Sequence, residues 1–412
     1  MPLPHRLGDG VAQAAHGALP LGRRGAVRDA HEGGGALRHA SMLAPARLPA
    51  RRVGRSDAGW LDPGLPDAGR LDAASVGSAS VAAMENPPRI RVGIIGTGWM
   101  SDMIVPDFRA LDAFELVAVA GRDGERTRAF AEARGIPHPG SVDDLFGRDD
   151  LDLVYIATTH DSHFELARRA LERDLPVLLE KAFTMDAAEA EQLVALSHER
   201  GVFLMEAMWM RFNPAIRRVA ALLAEGAIGE PRNLAATFGF VIPDPTHRLW
   251  DAEHGGGSAL DQGVYPLALA DLLFGPYASL AATGSRLGPD GAPTVVDGEL
   301  AVLLGYADGR QATLATSLRS LLPCDAWIGG TAGRIRILPA FWATEGFVLE
   351  RPVGGVELDR EEVLIPKIGN GYVPMLEAVA DALRDGRIEH ELSSHAATLR
   401  IMRAVDAVLA AV

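Results

Sequence analysis

The stretch "RIRVGIIGTGWMS", Arg89 to Ser101, decides the fold. Its first half is a short, β-branched apolar run of the kind that forms a buried strand. Its second half sets Gly96, Thr97 and Gly98 in a turn ahead of a helical segment. Gly96 allows a tight turn, Gly98 lets a pyrophosphate approach the backbone, and the helix opening at Trp99 and Met100 offers its positive end to phosphate charge. Ser101 stands where the third glycine of such fingerprints falls. Further apolar runs follow in "FELVAVAG", "LDLVYIATT", "LPVLLEK" and "GVFLMEA", with amphipathic stretches between them. Strands apolar on both faces, alternating with helices, predict a doubly wound parallel sheet of the dinucleotide-binding type.

The helices between those runs are legible individually. In "DSHFELARRALERD", Phe164, Ala167 and Leu171 share one face. "MDAAEAEQLVALSHERG" starts from Asp186 as an N-cap and stops at Gly201. At the end of the second strand, where an NAD-selective site places an acid on the ribose, the chain has Gly121 and Arg122, with Asp123 one residue later. An arginine there suits a 2′-phosphate, so NADP is expected over NAD.

The second half has a different texture. After the helical segment within "MEAMWMRFNPAIRRVAALLAEGAIGEP", the chain alternates "NLAATFGFV", "GELAVLLGY", "RQATLATSL" and "GRIRIL" with Gly and Asp turns, which predicts an antiparallel sheet. One helix, "GGGSALDQGVYPLALADLLFG", interrupts it, and two helices over about 371 to 386 and 393 to 410 close the chain. The expected division is residues 84–207 for the dinucleotide-binding domain and 208–412 for an α+β domain that binds substrate and dimerises. Residues 1–83, rich in Ala, Gly, Pro and Arg without apolar periodicity, are expected to be disordered or an upstream extension not made in the cell. Met84 begins a short polar lead into the first strand.

Composition narrows the function. The net charge of −14 argues against nucleic-acid or anionic-membrane partners, and no apolar run reaches the length of a membrane span. The single cysteine, Cys324, excludes an internal disulfide framework, and the chain is read as cytoplasmic. Of 40 basic residues only Lys181 and Lys367 are lysines. A lysine kept where arginine is the default cation suits proton chemistry, because its compact ammonium changes pKa on desolvation and a guanidinium does not. Asp261 and Tyr265, four residues apart on the interrupting helix beside Gly255 to Gly257, form a second candidate group. An ammonium such as Lys181 near Tyr265 would lower the phenol's pKa and favour the phenolate.

In order and spacing, "GIIGTG", "VYIATTHDSH", "LLEKAF", "FLMEAMWMRFNPA" and "GGGSALDQGVYPLALA" resemble the Gfo/Idh/MocA family of NAD(P)-dependent oxidoreductases. Within it they are most similar to the branch of dimeric dihydrodiol dehydrogenase and NADP-dependent D-xylose dehydrogenase. The resemblance runs from about Arg89 to the C-terminus. It implies that the family's Glu-Lys-Pro turn falls on Glu180, Lys181 and Ala182, with alanine in the proline's place and Lys181 as the catalytic lysine beside the cofactor. It implies that Tyr265 replaces the family histidine as general acid/base, with Asp261 as a substrate or orienting group. Thr158, His160 and His163 match the loop that lines the cofactor; these histidines are read that way rather than as metal ligands. Trp209, Arg211 and Arg248 match substrate-pocket positions of the branch. The implied reaction is hydride transfer between a nicotinamide and a cyclic sugar or cyclic vicinal diol, in a homodimer. A dinucleotide sensor of the same fold would not need a lysine, an aspartate and a tyrosine together. A sugar-to-sugar oxidoreductase holding its NADP permanently is the other reading the pattern leaves open.

Overall fold

In a computed structural model of the chain, the structure describes residues 87–412, so the expectation for residues 1–83 lies outside the described residues. Six parallel strands form the first sheet: β1 (Ile90–Ile95), β2 (Phe114–Ala120), β3 (His138–Gly140), β4 (Leu153–Ile156), β5 (Val177–Leu179) and β6 (Leu204–Glu206). Their order is β3-β2-β1-β4-β5-β6, with the strand order reversing between β1 and β4. The buried faces of β1 and β4 explain why these short runs are apolar except at the partly exposed Arg91 near the start of β1.

Between the strands lie α1 (Trp99–Arg109), α2 (Gly124–Arg134), α3 (Val142–Phe146), α4 (His163–Leu171) and α5 (Ala187–Arg200). The expected signals act as read. The Asp186 carboxylate accepts the Glu189 amide, and Gly201 closes α5 at φ +65°. Leu171 and Ala167 of α4 are fully buried. After β6 a short helical turn and α6 (Pro214–Ala224), capped by Asn213, lead to the second sheet.

That sheet has eight strands: β7 (Pro231–Gly239), β8 (Ser279–Ser285), β9 (Glu299–Gly305), β10 (Gln311–Ser317), β11 (Ala326–Gly330), β12 (Arg334–Ile337), β13 (Gly346–Gly354) and β14 (Glu357–Leu364). The order is β14-β13-β12-β11-β7-β10-β9-β8. The pairs are antiparallel except β10 with β7, so the expected antiparallel sheet holds with one parallel ladder. α7 (Val264–Phe274), α8 (Val373–Arg384) and α9 (His395–Ala410) complete the fold. One continuous apolar core runs through both sheets and these helices. Residues Pro87 to Val412 accordingly form one compact unit. Among the described residues no helix is long and apolar enough to cross a membrane.

Candidate active site

The C-terminal ends of β1, β4 and β5 converge where the parallel sheet changes direction, which is where open α/β sheets bind their ligands. At the end of β1, Gly96 adopts φ +112°, and any side chain there would run into the Ala157 carbonyl. Gly98, the residue before α1, has no atom within 4 Å of the position a Cβ would take, and α1 has no side-chain cap. Ser101 is fully buried and its hydroxyl donates to the Gly96 carbonyl at 2.9 Å, bracing the turn from behind. An uncapped helix start behind an open glycine turn fits a dinucleotide pyrophosphate.

Arg122 is exposed at the end of β2. Asp123 is committed elsewhere: its carboxylate accepts the Glu125 and Arg126 amides as the N-cap of α2. The acid one residue past Arg122 therefore serves the helix. Arg126, which the sequence reading passed over, donates to the Thr97 carbonyl at 3.0 Å and so lies across the glycine turn.

Lys181 follows β5, and the Lys181–Ala182 peptide bond is cis. Its ammonium donates to the Asp261 carbonyl at 2.9 Å and stands 3.6 Å from Asp261 Oδ1, with both side chains only 11% exposed. The carbonyl is available for a local reason. Ala259 to Gly263 form a π-helical turn, and five residues after Asp261 comes Pro266, which has no N–H to donate. The start of that turn is anchored by Asp297, whose Oδ2 accepts from the Ser258 hydroxyl at 2.8 Å and the Ala259 amide at 2.7 Å.

Asp261 Oδ1 also accepts from Arg248 at 3.1 Å, the arginine side chain being 53% exposed. Burial opposes ionisation of Asp261, but the charges of Lys181 and Arg248 outweigh it and hold the carboxyl well below the usual carboxylate range. The Lys181 ammonium lies 5.1 Å from the centre of the Tyr265 ring, over its face rather than at its hydroxyl. The Tyr265 hydroxyl instead accepts from Trp209 Nε1 at 3.1 Å.

The expectation that Lys181 would depress the phenol is corrected here. Burial, with the Glu180 charge next in size, pushes the Tyr265 phenol well above its ordinary value, so it stays a neutral donor. Phe238 and Trp342, stacked 3.6 Å apart, back the same ring at 5.6 and 6.1 Å between centroids. Neither was singled out in the sequence, because aromatic residues in a strand and a loop read locally as core.

Glu180 lies buried behind the lysine. Its Oε1 accepts the Tyr155 hydroxyl at 2.7 Å, its Oε2 accepts the Lys181 amide at 3.2 Å, and burial pushes its carboxyl up to about 7. Glu206 at the end of β6, which the sequence reading did not single out, is likewise raised by burial to about 7. Its Oε2 accepts the Thr398 hydroxyl at 3.0 Å, while its buried Oε1 has no hydrogen-bond partner among the described residues.

The two histidines turn to backbone. His160 Nδ1 donates to the Gly255 carbonyl and His163 Nδ1 to the Ala182 carbonyl, each at 2.9 Å. Burial lowers His160 to about 3 and His163 to about 4, so both are neutral at working pH. Thr158 accepts the Ser162 hydroxyl at 2.7 Å in the same loop. Arg211 does not join the group. Its guanidinium, 4% exposed, pairs at 2.9 Å with Asp271, which also binds Arg400.

The chain resembles known proteins in both halves. Residues 90–208 match the Gfo/Idh/MocA oxidoreductase family, NAD-binding Rossmann fold, and residues 216–336 match the Gfo/Idh/MocA C-terminal domain. Trans-1,2-dihydrobenzene-1,2-diol dehydrogenase of Mus musculus is 34% identical over 290 residues, 69% of this chain and 82% of that protein. The dTDP-3,4-didehydro-2,6-dideoxy-alpha-D-glucose 3-reductase of Actinomadura kijaniata is 34% identical over 331 residues, 79% of this chain and 97% of that protein. A solved structure of a 3-ketoreductase from Actinomadura kijaniata with NADP and TDP-benzene superposes with a TM-score of 0.68 at 32% identity, covering 78% of this chain and 97% of that one.

Proposed function

Because this chain belongs to the Gfo/Idh/MocA oxidoreductase family, we propose that it transfers a hydride between NADP and a hydroxyl or carbonyl carbon of a cyclic sugar or cyclic vicinal diol. The observation that carries the reading is the cluster of Lys181, Asp261 and Tyr265 at the ligand-binding edge of a dinucleotide-type sheet. Bound there, NADP supplies or accepts the hydride at its nicotinamide.

The chain's own residues then hold the substrate and manage its proton. Gly96, Thr97 and Gly98, with the start of α1 at Trp99 and Met100, hold the pyrophosphate. Thr158, with His160 and His163 behind it, shapes the loop beside the cofactor. Asp261, ionised between two cations, fixes the Lys181 ammonium beside the substrate oxygen. Tyr265 Oη, already accepting from Trp209, has its own proton free to donate to that oxygen. The raised phenol makes Tyr265 a hydrogen-bond donor, and the Lys181 ammonium gives its proton to the forming alkoxide when a carbonyl is reduced; in the oxidative direction Lys181 first releases a proton to solvent and then, as the free amine, takes the one from the substrate hydroxyl. Two solved structures of the Actinomadura kijaniata reductase are of variants at a lysine and a tyrosine separated along the chain by the same distance as Lys181 and Tyr265.

NADP rather than NAD rests on Arg122, with Arg126 beside it across the glycine turn and the nearby acid used as a cap. NADP⁺ and NAD⁺ reduction by a panel of aldoses, inositols and cyclic diols, read at the nicotinamide absorbance band, tests this reading. Wild-type enzyme should use NADP⁺ preferentially. Arg122→Ala should raise KM for NADP⁺ about 10- to 100-fold, the worth of a charge-assisted contact, with NAD⁺ unaffected. No reduction with any substrate, or a variant that loses both cofactors equally, contradicts it.

The domain division falls after residue 207, between β6 and α6, with the second part binding substrate and pairing with a second copy. The cytoplasm is the proposed compartment, on the strength of a single free cysteine, Cys324. Fractionation that finds the protein exported would overturn that placement.

A further inference from the structure

Lys367 is the chain's second lysine, against 38 arginines among its 40 basic residues. It lies in the segment "PKIGNGY", residues 366 to 372, between β14 and α8. That segment is pinned in place. Asp107 of α1 accepts the Asn370 amide at 2.8 Å and the Tyr372 amide at 2.8 Å, and the Asn370 side chain donates to the Met103 carbonyl at 2.8 Å. The nearest carboxylate in this segment's anchoring is therefore filled by backbone N–H groups and does not pair with Lys367.

The pinning sets the segment against the proposed site. Gly371 adopts φ +107°, and a Cβ placed on it would lie 2.7 Å from Trp209 Cζ3 and 3.6 Å from Lys367 Cδ. The Lys367 stem and the Trp209 ring thus flank the same α-carbon. Trp209 in turn packs against Tyr372, the rings tilted by 33° with centroids 4.9 Å apart, and donates its indole N–H to the Tyr265 hydroxyl. One indole ring separates Lys367 from the phenol of the site. The lysine is half-buried, and among the described residues its ammonium has neither an ion-pair nor a hydrogen-bond partner.

A half-buried cation without a counter-charge gives up hydration and regains nothing from the protein. Such a charge is balanced when an anion arrives. The protein as a whole carries −14, so an anionic substrate approaches against the general field and needs local positive charge to be held. Asp261 pairs with both Arg248 and Lys181 and offsets one of their two charges, whereas Lys367 has no counter-charge among the described residues. We propose that Lys367 is a specificity-determining residue that binds an anionic oxygen group, phosphate or carboxylate, carried by the substrate. This inference rests on the proposed function and narrows its substrate class to cyclic sugars that carry an acidic group.

Glucose 6-phosphate, glucuronate and glucose test it as probes. Each is titrated into full-length wild-type enzyme holding NADP⁺, into Lys367→Gln and into Lys367→Arg, with tryptophan fluorescence reporting binding and nicotinamide absorbance reporting turnover. At least one of the two charged sugars should bind wild type more tightly than glucose, and which one does distinguishes phosphate from carboxylate. Lys367→Gln should weaken that sugar about 10- to 100-fold and leave glucose unchanged, with Lys367→Arg recovering most of the loss. Equal weakening of all three sugars, or wild type binding neither charged sugar more tightly than glucose, overturns the inference. Failure of the oxidoreductase reading looks different: no sugar would be oxidised, while the fluorescence titrations would still decide whether Lys367 selects anions.

Discussion

Glu180 and Glu206 tie the site to pH. Each has an ordinary value of 4.5 and is raised to about 7 by burial, so the folded state holds both protons over a range in which the unfolded chain releases them. From these groups stability falls as pH rises from about 4.5 to about 7. His160 and His163 act in the opposite sense. Lowered from 6.5 to about 3 and 4, they lose stability as pH falls below 6.5. Glutamine is neutral at every pH. The Tm difference between Glu206→Gln and wild type should therefore become more favourable to the variant by roughly 2–4 °C between pH 5 and pH 8, measured by calorimetry. A difference that stays constant would show that Glu206 does not hold a proton in the folded state. At this scale Lys181, Asp261, Tyr265, Trp209 and Arg248 were legible in the sequence and stand together in the structure. The direction of the Tyr265 shift was not, because it depends on burial and on Glu180, which only the tertiary fold brings behind the ring.

At the scale of elements, Gly255 and Gly98 have different reasons to exist. Gly255 adopts φ +73°, and a Cβ there would lie 2.6 Å from the Cβ of His160, whose ring holds the Gly255 carbonyl. Gly255→Ala should cost about 1–3 kcal/mol of stability in urea unfolding, through backbone strain and the displaced His160 contact. Gly98 has φ −83° and open space where its side chain would go. Gly98→Ala should unfold within about 0.5 kcal/mol of wild type yet bind NADP⁺ more weakly, since the added methyl fills the space meant for phosphate. A Gly98 variant that binds cofactor normally would remove the pyrophosphate from this turn. The parallel half was readable because β1, β2, β4, β5 and β6 are short, mostly apolar runs and α5 carries its own start and stop at Asp186 and Gly201, whereas the exposed β3, His-Pro-Gly, gave no such signal. The second sheet was readable only in part. The β13–β14 hairpin went unread, its edge strand "ELDREEVL" being too charged to show apolar alternation and placed only by pairing with β13. The wide turn at Ala259 to Gly263 also left no local signal, so Asp261 and Tyr265 were expected on an unbroken helix.

At the scale of the molecule, the helices cover one face of the second sheet and leave the other open. Along β9, Leu300, Val302 and Leu304 are buried, while Leu303 between them is 47% exposed. A second copy laid against this face, at β9 beside the edge strand β8, would cover Leu303 in the homodimer proposed above. Leu303→Asp should convert the protein from dimer to monomer in sedimentation velocity while leaving the fold intact, and a wild type that sediments as a monomer would contradict the dimer. The division into a parallel sheet and a mostly antiparallel one was legible from texture, because strands buried on both faces and strands buried on one follow different periodicities.

The proposed route of the proton is Lys181 Nζ, held by Asp261 beside the neutral phenol of Tyr265. The most direct measurement compares kcat for NADP⁺ reduction with the dissociation constant for NADP⁺ in wild type and Lys181→Met. Loss of kcat by at least about 100-fold, with NADP⁺ affinity within a few-fold of wild type, is the predicted result. A variant that keeps its kcat would contradict the account and remove Lys181 from the chemistry.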